Sequence, residues 1–201
     1  MNLYTKDNFN EIVSALKKGE VIALPTDTVF GLAVIYDNEE SINKLKKAKE
    51  RDAHKPLPMM CDSLEMIERY TVLSDRERKI IKAFCPNALT LVLKVKEDLP
   101  KFVNNGLDTI AIRVPDDDFI LSIIKELDKP LLVTSANISG EENMNKWQDV
   151  EKKLGKRIDG LLKEDAKSLI ASTIVDLSKE EMTILRIGKI KEEDIQEVLN
   201  A

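Results

Sequence analysis

Two short runs of small polar residues stand where apolar runs end. Pro25-Thr26-Asp27-Thr28 follows Val21-Ile22-Ala23-Leu24, and Thr134-Ser135-Ala136-Asn137-Ile138-Ser139-Gly140 follows Leu131-Leu132-Val133. Ligands in open α/β sheets bind beyond strand ends, so these hydroxyls and amides are candidates for one shared pocket. The same residue types also make ordinary turns and helix N-caps, and either run alone has that plainer reading. A third run, Lys44 to Lys55, places six Lys or Arg within twelve positions. It is either a solvated helix face or, where the helix stops near Arg51, a set of cations projecting from a helix end (Lys49, Arg51 and Lys55) and suited to clamping phosphates. Arg113 interrupts the apolar stretch Thr109-Ile-Ala-Ile-Arg113-Val-Pro115, where alternation puts Thr109, Ala111 and Arg113 on one face. A guanidinium there needs an anion, supplied either by an Asp or Glu of the protein or by a ligand. Arg186, after Met182-Thr-Ile-Leu185, poses the same question.

These residues need elements to position them. Phe9, Ile12, Val13 and Leu16 have helical spacing, and Gly19 ends that helix. Further helices are predicted over Ser41–Glu50, Leu64–Tyr70, Asp75–Phe84, Phe119–Leu127, Trp147–Leu154 and Glu192–Leu199. Strands are predicted over Val21–Leu24, Val29–Tyr36, Leu57–Cys61, Leu89–Leu93, Thr109–Val114, Leu131–Thr134, Ser172–Leu177 and Met182–Leu185. Strands and helices interleave without a strict βαβ rhythm. The expected class is therefore α/β, a mixed parallel and antiparallel sheet covered by helices, in one domain over residues 1–201.

Composition narrows the function classes. The 201 residues are 43% hydrophobic and 33% charged, a globular balance that excludes disorder. A chain of this size buries about 70% of its unfolded surface without staples. A net charge of −5 opposes coating of nucleic acid, and 4% aromatics opposes a stacking platform for single strands. The seven glycines never approach one another closely enough for G-x-G-x-x-G or a Walker loop. His54 is the only histidine, which removes a His-based zinc site and a Ser-His triad and leaves His54 a loop residue. Cys61 and Cys85 are too few for a disulfide framework and are expected as buried thiols. With no signal-peptide shape at the N-terminus and no membrane-length apolar run, a cytoplasmic protein is expected.

Six motifs in order then carry a resemblance: Leu24-Pro-Thr-Asp-Thr-Val-Phe-Gly-Leu32; Lys49-Glu-Arg51 with Lys55-Pro-Leu57; Thr109-Ile-Ala-Ile-Arg-Val-Pro115; Thr134-Ser-Ala-Asn-Ile-Ser-Gly140; Ser172-Thr-Ile-Val-Asp176; and Leu185-Arg-Ile-Gly188. The chain resembles the YrdC/TsaC family of threonylcarbamoyl-AMP synthases over nearly its whole length, in the short form with the catalytic domain only. The resemblance implies a twisted mixed α/β fold with a deep, positively charged cavity. It implies formation of threonylcarbamoyl-AMP and pyrophosphate from L-threonine, bicarbonate or CO2, and ATP. The product would pass to a tRNA threonylcarbamoyl-transfer complex. By the same resemblance Thr28, Arg113, Ser135 and Ser172 would hold threonine, and Arg51, Lys55, Thr109, Asn137 and Arg186 would hold ATP. Lys49 and Arg51 would stabilise phosphate charge, Mg2+ would arrive with ATP, and no protein metal ligand or general base is assigned.

The sequence departs from the family where Glu50-Asp52 flank Arg51 in place of the common Gly and Pro, where Asn87-Ala88 replace Gly-Pro, and where Met60 replaces a histidine of some members. A YciO-like paralogue and a non-catalytic RNA-binding protein are the alternatives. Weak RNA contact, if made, would fall on Lys44–Lys55. The Ser135-Ala-Asn137 element favours the synthase over the YciO-like reading.

Overall fold

The predicted elements form with small shifts at their ends, and three short ones join them. The computed structural model describes residues 1–200. In chain order the elements are β1 (Asn2–Tyr4), α1 (Phe9–Lys17), β2 (Ile22–Leu24), β3 (Gly31–Ile35), α2 (Glu39–Ala48), β4 (Met59–Met60), α3 (Leu64–Tyr70), α4 (Asp75–Phe84) and β5 (Leu89–Lys94). They continue with α5 (Lys101–Asn104), β6 (Thr109–Arg113), α6 (Asp118–Leu127), β7 (Leu131–Ser135), α7 (Trp147–Leu154), β8 (Gly160–Leu162), β9 (Thr173–Asp176), β10 (Thr183–Arg186) and α8 (Glu192–Asn200). All ten strands join one sheet in the order β1-β8-β2-β3-β7-β4-β6-β5-β9-β10. The pairs β1/β8, β2/β8, β4/β6 and β5/β9 are parallel and the others antiparallel, so the expected mixed sheet is what forms.

β1, α5 and β8 are the elements the sequence pattern did not announce. Each is a single turn of helix or a three-residue strand, too short to show a period. Gly160 in β8 is required by close approach: a Cβ there would press on the Tyr4 ring and on Ile22. The core packs α1 and α2 against the sheet through Ile12, Leu16, Ile42 and Leu45, which meet Ile22, Leu24 and Leu32.

How α2 ends decides where the cations go. The Asn38 side chain accepts the Ser41 N–H to start the helix, with Glu39 and Glu40 in its first turn and Lys46 and Lys47 in its last. Glu50 then takes a left-handed conformation (φ +53°), and the Arg51 N–H bonds back to Lys46 O at 2.9 Å. This is a turn that glycine makes without steric cost. Glu50 thus adopts a conformation in which glycine would be unstrained, with its carboxylate held by Arg157 at 2.7 Å.

Candidate functional site

The ends of the central strands open on a cleft of about 230 Å³. Its walls come from the β2–β3 loop (Thr26, Thr28), β4 (Met60), β5 (Thr90), β6 (Arg113), β7 (Thr134, Ser135), β9 with its approach (Ala171, Ser172) and β10 (Arg186). Arg51 enters from the loop after α2, and Asn143 from the loop before α7. Six of the residues singled out from sequence thus meet in one place: Thr28, Arg51, Arg113, Ser135, Ser172 and Arg186.

Arg113 is almost fully buried, and of the two anions its sequence context left open it meets the protein's own, Asp27. Its Nη2 pairs with Asp27 Oδ2 at 2.5 Å, Nη1 donates to Thr28 Oγ1 at 2.8 Å, and Nε donates to Asn87 O at 3.1 Å. Two of its five N–H groups remain for a ligand. Asp27 Oδ1 is buried with no hydrogen-bond partner among the described residues. Burial pushes the Arg113 guanidinium below its ordinary range, and Asp27 opposes the shift. Arg51 and Arg186 are lowered by burial as well. All three remain cations, and a desolvated cation favours an anionic ligand.

On the opposite wall, Arg186 donates through Nε to Ser172 O at 2.9 Å and through Nη2 to Ser172 Oγ at 3.1 Å. Ser172 Oγ also shares a proton with Thr90 Oγ1 across 2.7 Å. Arg51 turns its fork toward its own loop, with Nη2 donating to Pro56 O at 2.9 Å.

Four expected residues are not on the cleft wall. Lys49 does not project as the helix-end reading required. It is 2% exposed, and its Nζ donates to Ser135 O, Asn137 O and Asn137 Oδ1 at 2.5, 2.8 and 3.1 Å. Its carbonyl in turn accepts the Ser139 N–H at 2.9 Å, so Lys49 ties the end of α2 to the loop after β7. Asn137 sits behind Ser135 in this arrangement, and no helix begins there. Lys55 is exposed on the loop. Thr109 lies at the far end of β6 opposite Lys94, about 13 Å from Arg113 at strand rise. Within the basic stretch Lys44 pairs with Asp159 at the surface, buried Lys46 bonds Ala53 O and Asn105 Oδ1, and Lys47 and Lys55 are exposed.

The sequence reading passed over Thr90 and Asn143 as site residues. Thr90 carried a usable signal, being a polar residue in the apolar strand Leu89–Leu93; Asn143 carried none. His54 is an exposed loop residue, Cys61 is buried and Cys85 half-buried. Burial raises both thiols, Cys85 to about 11, which makes them poor nucleophiles.

Lys49 yields a pH prediction. Its three oxygen partners favour the ammonium, while burial and nearby Arg51 favour the free amine and bring its pKa down to about 8 from 10.5. Between those values the unfolded chain holds the extra proton, so this group's contribution to unfolding free energy rises with pH across that window. Denaturant unfolding at pH 7.5, 9 and 10 should show this rise in the native sequence and its absence in Lys49→Met. Parallel pH profiles would place the titration elsewhere.

The family model for Sua5, YciO and YrdC proteins, described as "Telomere recombination", matches residues 14–188. The chain belongs to the Sua5/YciO/YrdC family. A Bacillus subtilis member named threonylcarbamoyl-AMP synthase is 33% identical over 94% of this chain, and this chain spans only 56% of that protein's length. A Methanocaldococcus jannaschii member named putative threonylcarbamoyl-AMP synthase is also 33% identical, over 90% of this chain and 87% of its own length. Among solved structures, Pyrococcus abyssi Sua5 complexed with L-threonine superposes with a TM-score of 0.91 at 28% identity, covering 98% of this chain and 59% of the other. Among the described residues, no helix is long and apolar enough to cross a membrane.

Proposed function

We propose that this Sua5/YciO/YrdC domain is a threonylcarbamoyl-AMP synthase, a nucleotidyltransferase that joins L-threonine, bicarbonate and ATP with release of pyrophosphate. The observation that supports this most directly is the cleft itself: buried Arg113, with half-buried Arg51 and more exposed Arg186 lining the same space, among small hydroxyls. Attack of a carbamate oxygen on the α-phosphate asks for positioning and charge neutralisation more than for a strong base. A site rich in arginine and free of histidine suits that chemistry. The relatives that carry this name add to the reading. In it, Arg113 with Thr28, Ser135 and Ser172 holds threonine, while Arg51 and Arg186 hold the triphosphate. Lys55 and Asn137 lie off the wall, and a direct role in ATP binding would require the 50–56 loop or the 135–139 loop to move; Thr109, at the far end of β6, would meet only a nucleotide that extends that far.

Mg2+ belongs to this reading as the triphosphate's counter-ion. The cleft wall offers hydroxyls and guanidiniums and no carboxylate, and among the described residues no group of three His, Cys, Asp or Glu could hold a metal. Such a donor set leaves the ion to the phosphates. Two free cysteines fit a reducing cytoplasm, where the product would pass to a tRNA-modifying transfer complex.

The test is pyrophosphate release, expected only when L-threonine, bicarbonate and ATP are all present. Release indifferent to threonine would sink the assignment. L-Valine, of the same shape without the hydroxyl, should be a poor substrate, because a site built to bond that hydroxyl leaves its own groups unpaired. Arg51→Ala and Arg186→Ala should each weaken ATP binding about tenfold or more by removing a charge-assisted contact. Unchanged ATP affinity in calorimetric titration of both variants would make the two arginines structural.

A further inference from the structure

Hydrogen-bond inventory fixes which way several cleft hydroxyls point. Thr26 Oγ1 donates its single proton to Val29 O at 2.7 Å and accepts the Thr28 N–H at 3.0 Å. Its remaining neighbour is Thr28 Oγ1, also at 3.0 Å. With the Thr26 proton already committed, the proton between the two threonines is Thr28's. Thr28 Oγ1 also accepts from Arg113 Nη1 at 2.8 Å, so toward the cleft it has one lone pair and no proton.

Ser135 reaches the same state by another route. The Asn137 amide nitrogen donates to Ile138 O and Glu141 O at 3.0 and 2.8 Å, which sets Oδ1 as the end facing Ser135. That oxygen can only accept, so Ser135 Oγ donates to it across 2.5 Å and shows the cleft lone pairs alone. The Ser172–Thr90 pair differs: one proton lies between the two oxygens and the other is free, so this wall retains a donor.

We infer that Thr28 and Ser135 are acceptor-only hydroxyls that recognise the N–H groups of a ligand's α-amine, and that Thr26 is the positioning residue that locks Thr28 in this polarity. Neither hydroxyl can donate to a carboxylate, which leaves that group to the free N–H groups of Arg113 and the Ser172–Thr90 end. Thr26 is 3% exposed, and its hydroxyl has no coordination left for a ligand. It therefore acts through Thr28. The inference rests on the amino-acid reading of the cleft and makes that reading chemically specific.

The experiment compares two ligands by calorimetric titration: L-threonine, and (R)-3-hydroxybutanoate, which keeps the carboxylate and hydroxyl and lacks the amine. The native protein should prefer threonine. Thr26→Val frees the Thr28 proton to point into the cleft, and the preference should fall about tenfold, the scale of one charge-assisted bond. Thr26→Ser keeps the lock and should restore the preference. A purely structural Thr26 would move both affinities together and leave their ratio unchanged, which overturns the inference. If Thr26→Val does not fold, Thr28→Val removes the acceptor directly and the same fall is expected; an unchanged ratio there overturns the inference equally. Threonine preference without threonine-dependent pyrophosphate release would uphold the inference and reject the synthase. The release without the ratio change would do the reverse, and a native protein that binds neither ligand rejects both.

Discussion

Arg113→Met should lower the unfolding free energy by about 3–5 kcal/mol, the range for stranding one partner of a buried ion pair. Asp27 is the stranded partner. Its Oδ2 is held by Arg113 and its Oδ1 already lacks any partner among the described residues, so the substitution leaves a buried carboxylate with nothing. Two further acceptors, Thr28 Oγ1 and Asn87 O, lose their donor in the same step. Arg113→Lys separates the structural part from ligand recognition. An ammonium can satisfy Asp27, but its three N–H groups cannot serve three partners around a plane and still leave two for a carboxylate, as the guanidinium does. Its expected signature is a KM for L-threonine raised at least about tenfold, with ATP binding nearly unchanged. Denaturant unfolding reads the first variant and pyrophosphate release the second. Normal threonine turnover in Arg113→Lys with a lowered Tm would make Arg113 an ion-pair residue only.

Gly188→Ala should disable the β10 wall without touching a single ligand contact. The added Cβ would collide with Ala171 O and the Thr173 N, and would come within 2.5 Å of the Ser172 carbonyl carbon. All three are backbone atoms of the approach to β9 and cannot swing aside. The Gly188 N–H also donates to Thr173 Oγ1 at 3.0 Å, and Thr173 Oγ1 donates to Ile190 O at 2.6 Å. One hydroxyl thus clips down the whole turn after β10. Lifting that turn draws Arg186 away from Ser172 and breaks both of its hydrogen bonds there. The expected outcome is ATP affinity reduced about as much as in Arg186→Ala, tenfold or more, with a stability loss of about 1–3 kcal/mol for overpacking. Calorimetry with ATP checks the first and thermal melting the second. Native ATP affinity in a folded Gly188→Ala would show that the β10 wall does not bind the nucleotide.

The long elements were legible from their apolar residues: α1 through Ile12, Val13 and Leu16, and β7 through the buried run Leu131-Leu132-Val133. β1 and β8 stayed hidden because β1 pairs only with β8, and β8 with β1 and β2, long-range pairings with no local trace. The site was legible where polar residues interrupt strand patterns. Arg113 and the Thr26–Thr28 run stood out for that reason, and both reach the cleft. Lys49 misled because a cation at a helix end suggests solvent. Here the turn at Glu50 directs it inward to three oxygens, and nothing in its spacing distinguishes the two outcomes. Thr109 shares a strand face with Arg113, yet sharing a face does not mean sharing an end.

The pairing of Asn2 with Gly160 bears on how the protein is made. A chain leaving the ribosome N-terminus first, at about 5–20 residues per second, must wait roughly 10–30 s before β1 meets its neighbour. β5 likewise waits for β9, where Leu89 pairs with Thr173, and the cleft has no closed wall until Arg186 follows. During synthesis the hairpin of β2 and β3 therefore stands with the β2 edge, at Ile22 and Ala23, unpaired until β8 arrives. Nascent chains stalled before β8 should consequently be the ones that recruit chaperones.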